Sequence, residues 1–162
     1  MNATTTVSAP IEVVFDVLAD PTTHEAIDGT GWVRESLDGT PLTDSGQVFR
    51  MGMYHENHPD KNYEMANRVE VFDPPHAVAW QPGSGPDGAM TSASTRDADI
   101  DYGGWMWRYD LKSVGAAETE VTLTYDWSRV PPHTREVIGF PPFDVQHLQN
   151  SLKHLAELAE AR

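Results

Sequence analysis

Apolar residues recur with helical spacing near both ends of the chain. Over residues 11–18 they stand three or four positions apart, which forms one face of a helix. Pro10 suits the first turn of that helix, and Asp20 ends it because Pro21 pushes the preceding residue out of helical geometry. Residues 21–28 predict a further short helix. A long helix over about 141–160 is predicted by one apolar stripe, which comprises Val145, Leu148, Leu152, Leu155 and Ala159.

Between these helices the apolar period changes to two, the period of β-strands. Residues 3–8 are rich in β-branched side chains and predict one further strand before the first helix. Breaks rich in Gly, Pro, Asp and Ser separate the strands and favour an antiparallel meander. Residues 82–101 show no period and predict a mobile surface loop. The six strands predicted in this region cover residues 32–38, 47–55, 62–72, 76–81, 104–113 and 119–128.

The order of these elements is strand, helix pair, six strands and long helix, which indicates an α+β protein. At 162 residues, and without a linker that divides it, the chain is expected to form a single domain over residues 1–162. We find no internal repeat that would suggest a solenoid or an array.

The charge of the chain narrows its possible partners. Eleven Lys and Arg stand against 25 Asp and Glu, a net charge of −14. Nucleic acid is not an expected partner, because Lys and Arg drive binding to its phosphates. No apolar run approaches the ~18 residues of a membrane-spanning helix, so membrane insertion is not expected. The N-terminus lacks the basic and apolar regions of a signal peptide, and cysteine is absent; a cytoplasmic location is therefore expected.

Several short blocks, taken in order, resemble one known superfamily. None is a catalytic signature, and their order over essentially the whole chain is what makes them specific for a fold. With the final amphipathic helix they resemble the START/Bet v 1-like (SRPBCC) superfamily, and within it the polyketide cyclase/dehydrase-like group. The blocks are Val7 to Pro10, Val14 to Pro21, Gly46 before Phe49-Arg50, Val69 to Pro75 before Ala79-Trp80, Trp107 to Leu111, and Thr119 to Ser128.

The resemblance implies a helix-grip fold, in which a curved antiparallel sheet of about seven strands surrounds a long C-terminal helix. It also implies an apolar cavity between the concave face of the sheet and that helix. Members of the superfamily bind lipids, sterols, polyketides and other hydrophobic small molecules. Some catalyse cyclisation or dehydration, and others are adaptor proteins that activate a chaperone.

Alternation places two aromatic stripes on one face of the predicted sheet. Trp105, Trp107 and Tyr109 share a face of one strand, and Tyr125 belongs to the matching stripe of the next. Such stripes form either a packed core or the wall of a pocket. The polar tips of Trp and Tyr and the adaptable Met side chains favour a pocket. The residues predicted to line it are Phe49, Met51, Met53, Trp80, Trp105, Trp107, Tyr109, Tyr125, Leu148 and Leu152.

Two groups of potential metal ligands are weaker candidates. His55 and His58 stand three apart in a strand or turn, where their side chains diverge, so a solvated hairpin is expected. Asp97, Asp99 and Asp101 alternate, but the glycine and the glutamate that a calcium loop requires are missing at the corresponding positions. The sequence therefore predicts no metal site, and it predicts no cofactor.

The remaining charged candidates border the aromatic stripes. Arg108 and Asp110 fall on the opposite face, where a cross-strand ion pair is expected; with the reverse orientation Arg108 would enter the cavity. His147 and His154 stand seven apart on one side of the final helix, where either could border the cavity mouth. No residue is assigned a catalytic role.

The expected function is binding of a hydrophobic or aromatic small molecule, lipid-like or polyketide-like, by a monomer or a homodimer. A cyclase or dehydratase is the first alternative. Its catalysis needs an ionisable group in the cavity, and the pattern supplies only the hydroxyls of Tyr109 and Tyr125. A protein-binding adaptor is the second alternative, slightly favoured by residues 1–40, which hold seven acidic residues and one base, Arg34.

Overall fold

The computed structural model describes residues 1–56, 61–84 and 96–162, which form an antiparallel sheet packed against helices. The four helices of this described part are α1 (Ile11–Leu18), α2 (His24–Asp28), α3 (Pro132–Ile138) and α4 (Val145–Glu160). Short 3-10 helices cover Pro21–Thr23 and Asp97–Asp99. The strands are β1 (Asn2–Val7), β2 (Val33–Ser36), β3 (Val48–Tyr54), β4 (Asn62–Asp73), β5 (Ala77–Ser84), β6 (Asp101–Tyr102), β7 (Met106–Gly115) and β8 (Glu118–Asp126).

The sheet has the strand order β1-β8-β7-β5-β4-β3-β2, and β6 pairs with the end of β5. Every pairing is antiparallel. Neighbours in the sheet are mostly neighbours in the chain, while the N-terminal strand returns to pair with β8. The α+β class and the antiparallel sheet of about seven strands with a long C-terminal helix are therefore confirmed, with the two-residue β6 as an addition.

The register of the central strands aligns their inward side chains. Trp80 of β5 lies opposite Trp107 of β7, which lies opposite Tyr125 of β8. Met51 of β3 lies opposite Met65 of β4 in the same way. Directly opposed residues share a face, with Cβ atoms about 5 Å apart. The two predicted aromatic stripes therefore form one continuous surface.

Helix α4 packs its leucine stripe into the core. Leu148, Leu152 and Leu155 are at most 2% exposed, and they share a cluster with Val14 and Phe15 of α1. The main contacts of the helix are with β1, α1, α2 and β8. Because α4 lies towards the N-terminal strand, it leaves the inward faces of the middle strands for a cavity.

The start of the last helix differs from the prediction. Helix α4 begins at Val145 rather than near 141, because the Asp144 side chain accepts a 2.9 Å hydrogen bond from the backbone N–H of Gln146 and caps the helix there. The preceding α3 was not predicted. Its Arg135 donates hydrogen bonds to the backbone carbonyls of Trp127 (2.9 Å), Ser128 (3.1 Å) and Val130 (2.9 Å), so tertiary contacts hold this segment.

The predicted loop over residues 82–101 is shorter than expected. Residues 82–84 continue β5, and Asp101–Tyr102 form β6, with Tyr102 opposite Gly83. Ile100, which directly precedes β6, is buried, so the end of this segment has apolar surface to bury. Residues 85–95 lie outside the described residues, and their predicted mobility stays a prediction.

The ion pair on the convex face also differs in detail. Arg108 Nε lies 3.0 Å from a carboxylate oxygen of Asp110, and neither residue lines the cavity. The two side chains belong to the same strand, two residues apart, so the pair is not cross-strand. Since each is about 40% exposed, the pair is screened by water and adds little stability.

Truncation of the α4 stripe should destabilise the fold strongly. We expect Leu152→Ala to lower the free energy of unfolding by ~2–5 kcal/mol, the usual cost of removing a buried leucine side chain. The exposed Lys153 on the same helix supplies the control Lys153→Ala. Urea denaturation measures both variants, and a loss below about 0.5 kcal/mol for Leu152→Ala would contradict the buried position.

Candidate functional site

A cavity of about 350 Å³ lies between the inward face of the sheet, helix α2 and the start of helix α4. This volume is within the range of small-molecule sites. Eight of the ten residues predicted to line the cavity do so: Phe49, Met51, Met53, Trp80, Trp105, Trp107, Tyr109 and Tyr125. The lining is completed by His24, Ile27, Asp28, Trp32, Val33, His55, Tyr63, Met65, Asn67, Pro82, Phe140, Pro142, Phe143, His147 and Ser151.

The two remaining predicted residues, Leu148 and Leu152, do not line the cavity. Helix α4 turns them towards the core, where they are almost fully buried. One residue earlier on each helical turn, His147 and Ser151 reach the cavity instead. Because successive helical positions are rotated by about 100°, a stripe that packs on the core cannot also line the cavity with the same residues.

Aromatic rings of the wall contact one another in groups. Trp80 stacks on Tyr109 with ring centroids 5.9 Å apart and on the imidazole of His24 at 4.9 Å. Trp107 contacts Tyr125 at 4.6 Å and stacks on Phe143 at 5.5 Å. Offset and edge contacts of this kind keep rings in fixed orientations. The wall therefore presents flat apolar faces to a ligand.

His24 is a functional candidate that the sequence analysis did not identify. Its Nε2–H donates a 2.9 Å hydrogen bond to the backbone carbonyl of Leu18, so in the neutral ring Nδ1 carries the lone pair. Burial lowers the pKa of this imidazole, outweighing the Leu18 bond and nearby Asp20, both of which raise it. His24 therefore stays neutral at neutral pH and offers a hydrogen-bond acceptor or a proton acceptor.

The Nδ1 acceptor of His24 is available to a ligand. Within the described residues Nδ1 makes no hydrogen bond. No fully buried side-chain nitrogen or oxygen there lacks a partner, so this nitrogen retains some accessible surface. His24 is a lining residue of the cavity, where a ligand can reach it.

Two tyrosines add hydroxyl groups to the same wall. The described part of the chain offers no hydrogen-bond partner to the hydroxyl of Tyr109, which is buried and must face accessible space for the same reason as His24 Nδ1. Burial raises the pKa of Tyr109 and of Tyr125 well above the usual tyrosine value, and the nearby Asp28 carboxylate raises that of Tyr109 further. Both phenols therefore remain protonated and can donate a hydrogen bond to a ligand.

A carboxylate and an imidazole meet at the α4 side of the cavity. His147 Nε2 lies 3.7 Å from Asp28 Oδ1, and both side chains are about 90% buried. Burial lowers the pKa of His147, although Asp28 and Asp144 oppose this effect. His147 also packs on the rings of Trp32 and Phe143, with centroids 5.9 and 4.4 Å away.

Asn67 contributes an amide from β4. Its Nδ2 lies 3.5 Å from the carbonyl of Phe49, a long hydrogen bond that uses one of its N–H groups. The residue is 6% exposed and lines the cavity. The described wall thus combines an amide, three phenols, three imidazoles and one carboxylate with a large apolar surface.

The weaker sequence candidates take different roles. His55 lines the cavity and packs against Trp32 with ring centroids 5.2 Å apart, so it is not simply solvated; His58 lies outside the described residues. Asp97 binds Arg50 and Asp99 binds Arg96. Within residues 1–56, 61–84 and 96–162 no three His, Cys, Asp or Glu residues could hold a metal ion together.

His154 is a structural residue rather than a cavity residue. A 2.9 Å hydrogen bond joins its Nδ1 to the carbonyl of Ile27, which ties α4 to the end of α2. Gly29 ends α2 at φ +67°, and a Cβ there would lie 2.2 Å from His154 Cε1. This close contact requires glycine and holds Asp28 at the cavity.

Comparison with known sequences gives a distant relative that is itself uncharacterized. No protein-family model matches the chain. An uncharacterized protein of Mycobacterium tuberculosis is 28% identical over 121 residues, which are 75% of this chain. The chain spans 44% of the length of that relative.

Solved structures share the fold over nearly the whole chain. The Zhui aromatase/cyclase of Streptomyces sp. R1128 is 17% identical with a TM-score of 0.64, covering 100% of this chain and 93% of that one. A Thalictrum flavum norcoclaurine synthase point mutant, solved with a transition-state analogue, is 15% identical with a TM-score of 0.58, covering 99% and 93%. The likenesses confirm the helix-grip fold. No helix in the described part of the chain is long and apolar enough to cross a membrane.

The buried His24 should make stability depend on pH. Its folded pKa lies below the unfolded value of 6.5, so the unfolded state binds more protons below that pH. Stability should therefore fall as the pH drops through and below 6.5. His24→Gln, which keeps an N–H for Leu18 but cannot titrate in this range, should show a shallower loss.

Urea denaturation between about pH 7.5 and pH 5 measures this dependence. Substitution of the exposed His76 by Gln is the matched control and should leave the slope unchanged. Parallel stability curves for the wild type and His24→Gln would contradict a buried neutral imidazole.

Proposed function

We propose that the protein binds a flat, largely aromatic small molecule in the cavity between its sheet and helix α4. The observation that carries this proposal is the cavity of about 350 Å³ lined by stacked aromatic rings. Protein interiors are close-packed, with few voids larger than a water molecule. A space of this size is more than a packing defect in a core.

The polar groups of the wall give the ligand a direction. His24 presents an acceptor, while the hydroxyls of Tyr109 and Tyr125 present donors. Small-molecule sites commonly combine an apolar wall with a few such groups, which fix orientation. A planar molecule with at least one polar substituent would satisfy both kinds of group.

The structural neighbours support a role of this kind. One is an aromatase/cyclase, and another is a norcoclaurine synthase bound to a transition-state analogue. These activities belong to those proteins. Their relevance here is that a protein of the same fold holds a small molecule.

A proton-transfer enzyme is a second candidate, favoured because His24 and Tyr109 stack on the same tryptophan of the cavity wall. Both rings contact the ring of Trp80, so a base and an acid border the same space. Such a pair could remove a proton from carbon and protonate oxygen, the exchange that cyclisation or dehydration requires. The adaptor alternative rests only on the acidic N-terminal region and stays a prediction.

Native mass spectrometry of the purified protein tests binding directly. A co-purified mass of a few hundred daltons, released on unfolding, is the expected result. The captured compound can then be incubated with protein in D₂O. Solvent deuterium at a carbon position, gained with the wild type and lost with His24→Gln, would establish proton transfer; an unlabelled compound would leave binding alone.

Truncation of the cavity wall should separate binding from folding. We expect Trp107→Ala to weaken binding of naphthylmethanol by about tenfold or more, since the ring supplies a ligand-facing surface. Trp127→Ala removes the same side chain from a position outside the cavity lining and serves as the control. Titration calorimetry measures affinity, and urea denaturation measures stability.

The result would be different if Trp107 belonged to a packed core and not to a cavity wall. In a dry core, Trp107→Ala would cost ~3–5 kcal/mol of stability and leave no binding to lose. The proposed function is therefore wrong if the wild type binds no aromatic probe and this variant is destabilised to that extent.

A further inference from the structure

The cavity lining has an acidic side chain but no Lys or Arg to balance it in the described part of the chain. Of the described lining residues, Asp28 is the only one with a carboxylate, and none is Lys or Arg. The three lining histidines are His24, His55 and His147. Burial favours the neutral form of His24 and of His147. The carboxylate of Asp28 is therefore the negative formal charge that the described wall presents.

In the described part of the chain, one oxygen of the Asp28 carboxylate accepts three hydrogen bonds and the other accepts none. Oδ2 accepts hydrogen bonds from the backbone N–H groups of Thr30 (3.2 Å) and Val33 (3.4 Å) and from the Thr30 hydroxyl. Among the described residues, Oδ1 makes no hydrogen bond, and His147 Nε2 lies 3.7 Å away, which is too long for one. A ligand N–H can therefore still be accepted at Oδ1.

Aromatic rings lie around the histidine that neighbours this oxygen. The imidazole of His147, next to Asp28, lies within 6 Å of Trp32, Trp107 and Phe143, measured between ring centroids. Aromatic faces attract cations through their quadrupoles, most strongly where water is excluded. A carboxylate beside such rings combines the two interactions that hold a buried ammonium group.

We infer that the ligand is a protonated aromatic amine, with its ammonium group at Asp28 Oδ1 and its ring system on the Trp and Tyr faces. This inference rests on the proposed function and specifies the class of ligand. A carboxylate or phosphate ligand would lose its hydration without gaining a cationic partner from the described wall, and it would be repelled by Asp28. The net charge of −14 also draws cations towards the protein.

Three naphthalene derivatives that differ only in one substituent test the charge preference. Naphthylmethylamine is cationic at neutral pH, naphthylmethanol is neutral, and naphthoic acid is anionic. We expect the amine to bind about tenfold more tightly than the alcohol, as a hydrogen bond to a charged group allows. The acid should bind most weakly. Titration calorimetry at neutral pH and low salt measures all three.

Asp28→Asn is the variant that assigns the preference to this residue. The amide oxygen can still accept the hydrogen bonds of Thr30 and Val33, so the loop after α2 is retained while the charge is removed. We expect the amine to lose its tenfold advantage and the alcohol to be unaffected. Asp16→Asn, which removes one charge from the exposed face of α1, should leave the ranking of the three probes unchanged.

Each outcome bears on a different claim. Equal binding of the three probes, or tightest binding of the acid, would overturn the inference and leave the proposed function standing. Failure of all three to bind the wild type would overturn the proposed function, and the inference with it. If Asp28→Asn does not fold, the wild-type ranking still decides the charge preference, and Asp28→Glu, which moves the charge by one methylene, should reduce the amine's advantage.

Discussion

The site depends on how helix α4 is seated. The stripe of Leu148, Leu152 and Leu155 packs against α1 and β1, and this contact turns His147 and Ser151 towards the middle strands. The helix is therefore held at one side of the sheet, where its leucines supply core packing. The inward faces of β3, β4 and β5 are left to line a cavity that the helix borders without filling.

Polar groups are tolerated in this cavity because their charges are suppressed or their atoms are partly satisfied. His24 donates a hydrogen bond from its ring N–H to a backbone carbonyl, and burial keeps the ring neutral. The tyrosine hydroxyls remain protonated for the same reason. Asp28 is the exception, since it keeps a carboxylate, but three hydrogen bonds stabilise one of its oxygens. The chemistry of the site is thus concentrated in the groups whose hydrogen bonds are incomplete.

Period-two alternation was sufficient to predict the aromatic wall, because strand parity alone decides which residues share a face. On β4 the same alternation places Tyr63, Met65 and Asn67 on the inward face, so it was sufficient to predict these lining residues as well. His24 and Asp28 share one face of a short helix, but their burial depends on the docking of α2 onto α4 through His154 and Gly29. Contacts between residues so distant in sequence are not encoded in a local pattern, and the position of Leu148 and Leu152 was misjudged for the same reason.

The cavity also connects function to stability. Side chains that border a cavity have no protein atoms to pack against on that side, so the rings around the 350 Å³ volume gain fewer dispersion contacts from folding than they would in a packed core. A ligand that fills the space restores those contacts and stabilises only the folded state. The Asp28 carboxylate acts in the same direction, because its hydrogen bonds reach one oxygen and a cationic ligand would add an ionic partner at the other. Packing and electrostatics therefore favour the same class of occupant.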